Sequence, residues 1–515
     1  MNLPDALMDP AAYPHTAADI ACIETHMSWV FLTGIYAYKV KKPIQFEFVD
    51  FSQLSLREFY CRRELDLNST FAPEIYLDVV PICTRPNGLA IGHENGTHCN
   101  DEAGEIVDWA VKMLQFPAEA QCDRLLQQGA LPLPCVHRFG ADLATQHAAL
   151  PVAPYIPIER AALENFHTLR NLDLPRSLHR PLEVLQKKTA VAFAHLNSAL
   201  EARALSGRCR ACHGDLHLGN MVLLGDTVKA FDCLEFNDQL SQTDVWADVA
   251  FLFMDLATRG YSAYAYALID GYLSVCADYE GAALLNLFST YRAMVRAKVT
   301  ALRHRQQPHQ EHLVRISTLV NWACDQLQRP PGRIIITHGL SGSGKSFWSK
   351  QLVEALGCIR IRSDLLRKSL AGLSADASTD SGLGANLYSR SRSIDLYAHM
   401  AELAIRLAGA GELVIVDAAS LFYDQRQIVR TKAESSGIPT AWLCFHASSD
   451  TLRERLKERQ SRDSDPSEAD ESVLQWQIGH QEGFARHEPH VTFDTETGTV
   501  DELLQLVNDP FTFGQ

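Results

Sequence analysis

Hydrophobic positions along the chain change rhythm at two places. Over about the first 110 residues they fall in short runs rich in β-branched and aromatic side chains: 29–34 (WVFLTG), 36–42 (YAYKVKK), 74–82 (EIYLDVVPI) and 107–114 (VDWAVKML). Gly, Pro and Asn punctuate these runs, which predicts strands. Between the second and third, 52–68 (SQLSLREFYCRRELDLN) mixes apolar and polar positions at helical spacing, with Ser52 placed to cap the start. From about 117 to 328 the pattern is mostly helical, broken by the segment 209–233. There MVLLGDTVKAFD predicts two short strands turned at Gly225-Asp226. The expectation is a β-rich lobe over about 15–115 and a helical lobe over about 116–328, the latter carrying a polar loop and a hairpin.

The second change follows QRPPGR at 328–333, where Pro330, Pro331 and Gly332 stop any helix. Beyond it, apolar strands (IIITHG, CIRIRSD, ELVIVDA, TAWLCFHA) alternate with helices, one from 344 and one over LYAHMAELAIRLA. Strands that are apolar throughout belong to a parallel sheet covered by helices on both faces. The chain is expected to form two domains, 1–328 of α+β type and 329–515 of α/β type, without internal repeats.

Composition narrows the classes. At 515 residues the chain exceeds one ordinary core, in keeping with two or three domains. A net charge of −15 sets it apart from proteins that wrap nucleic acid, which need a basic surface. The longest nearly apolar run, 245–257 (VWADVAFLFMDLA), is too short to span a bilayer and contains Asp248 and Asp255. The start, MNLPDALMDPAAYPH, lacks the basic stretch and apolar core of a secretion signal, so a cytoplasmic protein with no membrane partner is expected. Thirteen cysteines are scattered singly apart from Cys209 and Cys212, and the default for each in a reducing compartment is a small buried apolar residue.

Cys209, Cys212 and His213 spell C-x-x-C-H, the pattern of haem attachment, yet the same histidine opens HGDLHLGN. His213, Asp215 and Asn220 there have the spacing of a kinase catalytic loop, H-x-D-x-x-x-x-N. Haem attachment needs export and a zinc site needs a second pair of ligands, so neither is expected. Companions of a kinase loop follow in order. Asp232, at the end of the predicted hairpin, stands where a metal-binding acid belongs. Residues two apart share a strand face, so Ala37 can floor an adenine pocket while Lys39 reaches the phosphates, with Lys41 as the alternative. Glu64 or Glu58 is the ion-pair partner, and backbone near Lys112 and Met113 is placed to bond adenine. Asp215 would orient a substrate hydroxyl and take its proton, while Asn220 and Asp232 hold Mg2+. His213 and Gly214 shape the loop, and His217 is either structural or near the acceptor. No G-x-G-x-x-G precedes the lysine; ETHMSW (24–29) stands there and offers Thr25, His26 and Ser28.

This assembly resembles the aminoglycoside phosphotransferase family over about 20–310, a protein-kinase-like bilobal fold whose loop reads H-G-D-x-x-x-x-N. The resemblance implies ATP, Mg2+ and a hydroxyl-bearing small-molecule acceptor. Glu235, Asp238, Asp244 and Asp248 follow the metal acid, either as a pocket for a polycationic substrate or as helix caps.

In the second domain GLSGSGKS fits G-x-x-x-x-G-K-[ST] between a strand and a helix, the setting of a P-loop (Walker A). Gly339, Ser341, Gly342, Ser343 and Gly344 cradle phosphates with backbone N–H groups, Lys345 neutralises charge and the Ser346 hydroxyl ligates Mg2+. Asp417, ending LVIVD at the tip of an apolar strand, reads as a Walker B acid that holds the Mg2+ through water. Asp364 and Arg367 follow the next strand, where Asp364 can accept a hydroxyl proton and Arg367 can hold the acceptor, or else cap a helix. LRERLKERQSRDSD (452–465) places Arg455, Arg459 and Arg462 in a lid over the phosphates, or on a solvated charged helix. This half resembles the P-loop kinases that include polynucleotide kinase and the zeta-toxin type over roughly 332–500. The resemblance implies a P-loop NTPase fold and a metabolite, nucleotide or nucleic-acid end as acceptor.

The whole chain looks like bacterial proteins that fuse an aminoglycoside-phosphotransferase-like domain to a P-loop ATP-binding kinase domain. The expected function is a bifunctional ATP-dependent kinase acting on alcohol groups. The alternatives are a nucleotide-sensing half that regulates the other, and a toxin-like or protein-directed kinase.

Overall fold

The computed structural model describes residues 2–46, 49–92, 104–374, 377, 390–460 and 470–508. The chain gathers into two compact units, Met1–Cys135 with Gln146–Ile158 and Ser198–Leu252, and Val136–Thr145 with Glu159–Asn197 and Phe253–Gln515.

The first unit is built on an antiparallel sheet in the order Ala21–Glu24, Ser28–Leu32, Tyr36–Lys41, Ile106–Leu114, Tyr76–Arg85, Gly88–Ile91. Its four longer strands lie where the apolar runs place them, and the four-residue strands at either edge are too short to leave a pattern. Successive residues of Tyr36–Lys41 part to opposite faces, as the pleat demands. Tyr38 and Val40 join Phe31, Ile82 and Ala110 in one core, while Ala37 joins Val79, Val111 and Met113 in the other. Helix Leu54–Phe71 covers the second face, burying Arg57, Cys61, Glu64, Asn68 and Phe71. That stripe keeps helical spacing but is largely polar, so each member needs a partner. Arg57 donates to Asp108 at 2.8 Å and to the Phe51 carbonyl at 3.0 Å. Ser52 does not cap this helix: Gln53 is the N-cap residue, and the Ser52 hydroxyl donates instead to Asp50 at 2.6 Å. The hairpin forms as expected, Met221–Leu224 against Thr227–Ala230, with Gly225 at φ 63° in the turn.

In the second unit the strand order is Ile359–Arg362, Val414–Asp417, Ile334–His338, Thr440–His446, His490–Asp494, all parallel. Ile334–His338 and Val414–Asp417 are buried throughout, which is why they open on the apolar runs 334–336 and 414–416 before the polar Thr337, His338 and Asp417. The edge strand His490–Asp494 buries only one residue fully and carries no such run. Helices Ser262–Cys276, Leu285–Gln306 and Gln310–Gln326 belong to this same unit. Ser262–Cys276 packs on Val353–Gly357 and on the strand Ile359–Arg362. Buried Glu412 ties the region together, accepting from Tyr266 Oη at 2.6 Å and Arg329 at 2.9 Å. No helix among the described residues is long and apolar enough to cross a membrane. Cys209 and Cys212 are buried, as expected, the Cys212 thiol donating to the Thr243 carbonyl at 3.7 Å, whereas Cys83 departs from the expectation and is disulfide-bonded.

Candidate active sites

In the first unit five elements converge. Lys39, from the strand Tyr36–Lys41, donates to Glu64 Oε1 at 2.7 Å and also to Asp232 Oδ1. Lys41, two residues on and therefore on the same face, donates to Glu64 Oε2 at 2.7 Å and to Glu235. Both lysines thus share Glu64, while Glu58 pairs with Arg62 on its own helix. Burial pushes the Glu64 carboxyl up, but Lys39 and Lys41 outweigh it and hold the group down to about 2. Burial also favours neutral Lys39, and Asp232 with Glu64 overcomes it, raising the ammonium well above its usual range.

Asp232 sits just past the hairpin with φ 64°, its N–H donating to Tyr76 Oη at 3.0 Å. A non-glycine residue in this left-handed region stores strain that its surroundings must hold. Helix Leu54–Phe71 helps: Asn68 Oδ1 accepts the Cys233 N–H at 3.0 Å. In the loop, Asn220 Nδ2 donates to Asp215 Oδ2 at 3.2 Å, and His217 Nε2 lies 3.3 Å from the same oxygen. His217 Nδ1 accepts from the Gly219 N–H at 3.1 Å, which leaves Nε2 to carry the proton toward Asp215. His213 is buried and donates to the Phe231 carbonyl at 3.0 Å; burial lowers its pKa and keeps the ring neutral. Asp248 fixes the loop's backbone, accepting from the N–H groups of His213 at 3.2 Å and Gly214 at 2.9 Å.

Several expectations change here. The four acidic residues after Asp232 do not form an open pocket for a polycation. Glu235 pairs with Lys41, Asp238 with Arg63, Asp244 with Arg203 and Asp248 with the loop backbone. Met113 stands in register between Ala37 and Tyr76, so its backbone lies inside the sheet and its side chain lines the core beside Ala37. The 24–29 segment is a tight turn closed on itself, Thr25 Oγ1 accepting from the Ser28 N–H at 2.9 Å and donating to the Ser28 carbonyl at 3.0 Å. His147, Cys212 and Asp248 bring ligand atoms within 4.8 Å of one another, but Asp248 already serves the loop.

Glu64 also provides a pH test. Its carboxyl titrates lower in the folded chain than its ordinary 4.5, so its stabilisation is present above 4.5 and is lost as pH falls toward about 2. Glu64→Gln leaves two buried ammonium groups short of a partner, an expected loss of about 3–5 kcal/mol at pH 7. Urea unfolding of both chains from pH 7 to pH 3 should show that gap narrowing below the ordinary carboxyl pKa; a pH-independent gap contradicts the assignment.

In the second unit the loop Gly339–Ser346 joins the central strand to helix Lys345–Leu352. Gly339, Gly342 and Gly344 have φ of 151°, 83° and 82°, which side-chain-bearing residues rarely adopt. A Cβ at Gly342 would stand 2.8 Å from the Leu452 carbonyl oxygen. Gly342→Ala is expected to weaken nucleotide binding here by at least about tenfold, through strain of a few kcal/mol in the loop. Calorimetric titration with a non-hydrolysable ATP analogue checks it. Lys345 Nζ donates to the carbonyls of Gly339 and Leu340, both at 2.8 Å, and the Ser346 side chain is exposed. Ser343 is buried and the Ser341 N–H donates to Gln477 Oε1 at 2.8 Å. Asp417 ends its strand buried, accepting from Ser349 Oγ at 3.0 Å. Arg360 donates to the Ser346 carbonyl at 2.8 Å and lies 3.6 Å from Asp417.

Asp364 lies in the first turn of helix Ser363–Leu370, and Arg367 donates to it at 3.1 Å, so the two side chains neutralise each other. The helix's N-cap residue is Arg362, so Asp364 is not its cap. Arg455 reaches Thr495 Oγ1 at 2.9 Å and the Gly342 carbonyl at 3.4 Å. Arg459 belongs to helix Ser449–Gln460, its side chain outside the described residues, as is Arg462 altogether. Sequence reasoning missed Ser349, Arg360 and Gln477, and it did not foresee Glu235 as a partner of Lys41. Arg360 alone left a signal, a charge within the buried run CIRIR.

Residues 132–285 match the model of the Phosphotransferase enzyme family, and residues 334–483 match that of the AAA domain. An uncharacterized protein of Mycobacterium tuberculosis is 26% identical over 477 residues, covering 89% of this chain and 91% of its own. An uncharacterized protein of Mycobacterium bovis gives the same figures. Among solved structures, the Mycobacterium tuberculosis APS kinase in complex with AMPPNP and APS is 20% identical, covering 35% of this chain and 96% of its own at a TM-score of 0.27. A choline/ethanolamine kinase family protein from Mesorhizobium loti is 15% identical, covering 64% of this chain and 95% of its own at a TM-score of 0.41. The chain therefore joins a phosphotransferase-family segment, residues 132–285, to an AAA domain, residues 334–483, two kinase-type domains in one polypeptide.

Proposed function

We propose that this chain is a bifunctional ATP-dependent kinase. The observation that carries the reading is the convergence, in one unit, of Lys39, Glu64 and Asp232 in an ion-pair network and of Asp215 hydrogen-bonded to Asn220. Lys39, oriented by Glu64, meets the phosphates of ATP. Asp215 orients the hydroxyl of a small-molecule acceptor and takes up its proton as the phosphoryl group transfers. His217 fixes the Asp215 carboxylate, which keeps the base aimed at that hydroxyl. At the second site, the backbone of Gly339–Ser346 and the Lys345 ammonium hold the triphosphate, with Arg455 and Gln477 setting the loop. Asp364 and Arg367 face the acceptor there, a metabolite, a nucleotide or a nucleic-acid end.

The donors fit magnesium. Asn220 and Asp232 at one site, Ser346 and Asp417 at the other, are hard oxygen ligands, and the Asp232 carboxylate is 44% exposed despite its ion pair. Bound there, magnesium supplies charge neutralisation across the phosphates.

Incubating the purified chain with MgATP and a metabolite extract, followed by mass spectrometry, tests the reading. Two products, each heavier by one phosphoryl group and each lost with a different site substitution, are expected. A single product, lost with either substitution, favours the reading in which one half senses nucleotide for the other. Absence of any product sinks both.

A further inference from the structure

Arg360 is a buried guanidinium in a strand of the P-loop sheet, and it cannot shed its charge. Two of its nitrogens donate to Asp270, Nε to Oδ1 at 3.0 Å and Nη2 to Oδ2 at 2.8 Å. The third, Nη1, donates to the Ser346 carbonyl at 2.8 Å and to Ser349 Oγ at 3.1 Å. The same Nη1 stands 3.6 Å from Asp417 Oδ2, the oxygen that accepts from Ser349. One buried cation thus faces two buried carboxylates, and the paired hydrogen bonds go to Asp270. A third group, His137 Nε2, lies 3.2 Å from Asp270 Oδ2.

Asp270 is foreign to the P-loop sheet. It sits on helix Ser262–Cys276, inside the stretch that matches the phosphotransferase family, whereas Arg360 lies inside the AAA match. We propose that Asp270 is a positioning residue of the P-loop site: by taking the paired hydrogen bonds of Arg360 it holds the guanidinium 3.6 Å from Asp417, short of hydrogen-bond contact, leaving the Asp417 carboxylate available to magnesium. The inference rests on the reading of Gly339–Ser346 and Asp417 as a nucleotide and metal site. Without the Asp270 charge, the nearest anion for a guanidinium confined in a low-dielectric interior is Asp417. Ser346 and Asp417 then face the metal with a competing cation between them.

The test uses the full chain with Asp232→Asn, which silences the other site, and calorimetric binding of AMP-PNP at graded Mg2+. Asp270→Asn is expected to raise the Mg2+ concentration for half-maximal tight binding about tenfold, without weakening binding in the absence of Mg2+. Loosening of the fold alone would weaken both. The double variant Asp270→Asn with Arg360→Met removes the charge as well as its counter-charge, and is expected to return within about threefold of the parent. Unchanged Mg2+ dependence in Asp270→Asn, or a double variant as impaired as the single, overturns the proposal. Should the single variant not fold, the double decides: a tenfold loss there shows that Asp270 does something other than balance Arg360. If Lys345→Ala leaves AMP-PNP binding intact in this background, the site reading itself fails.

Discussion

Asp215→Asn is expected to lower phosphoryl transfer at the Lys39 site by at least about a thousandfold while leaving nucleotide affinity there within about threefold. The substitution keeps the shape of the side chain and a partner for Asn220, which donates to Asp215 Oδ2 at 3.2 Å in the native loop. The lost element is the basic oxygen that takes the acceptor's proton. Gly214, His213 and Asp248 hold the loop backbone independently of that side chain, so the fold should not register the change. Product formation from the metabolite extract and AMP-PNP titration measure the two quantities. A transfer rate within tenfold of the parent removes Asp215 from the chemistry, and a large loss of nucleotide affinity assigns it to the metal site.

The second large effect is expected from Lys345→Ala: nucleotide affinity at the P-loop site should fall by about a hundredfold or more, with the other product untouched. Lys345 Nζ now donates to the carbonyls of Gly339 and Leu340, so the loop is held in shape by the group that would swing onto the phosphates. Removing it takes away both the ligand charge and that support. Affinity for AMP-PNP and the yield of each phosphorylated product check the result. Equal loss of both products would couple the two sites.

Much of the fold was legible because it rests on patterns that burial enforces. The strands at 334–338 and 414–417 are buried and open on the apolar runs 334–336 and 414–416, and GLSGSGKS carries its own backbone requirements. The loop HGDLHLGN was equally plain, since its residues recur at fixed offsets. What escaped were partners set by tertiary contact. Helix Leu54–Phe71 has a buried stripe of Arg57, Cys61, Glu64 and Asn68, which no amphipathic pattern distinguishes from its exposed face. Whether Lys39 or Lys41 met Glu64 was undecidable from spacing, because both share a face and both reach it. Gln477 and Asp270 act on residues more than 80 positions away, and nothing local marks them.

Both sites together make one claim, that each compact unit grips its own nucleotide. Calorimetry of the full chain with AMP-PNP and Mg2+ addresses it most directly. Two equivalents should bind, falling to one in Lys345→Ala and to one in Asp232→Asn. A single equivalent in the unsubstituted, well-folded chain, or none, contradicts the account.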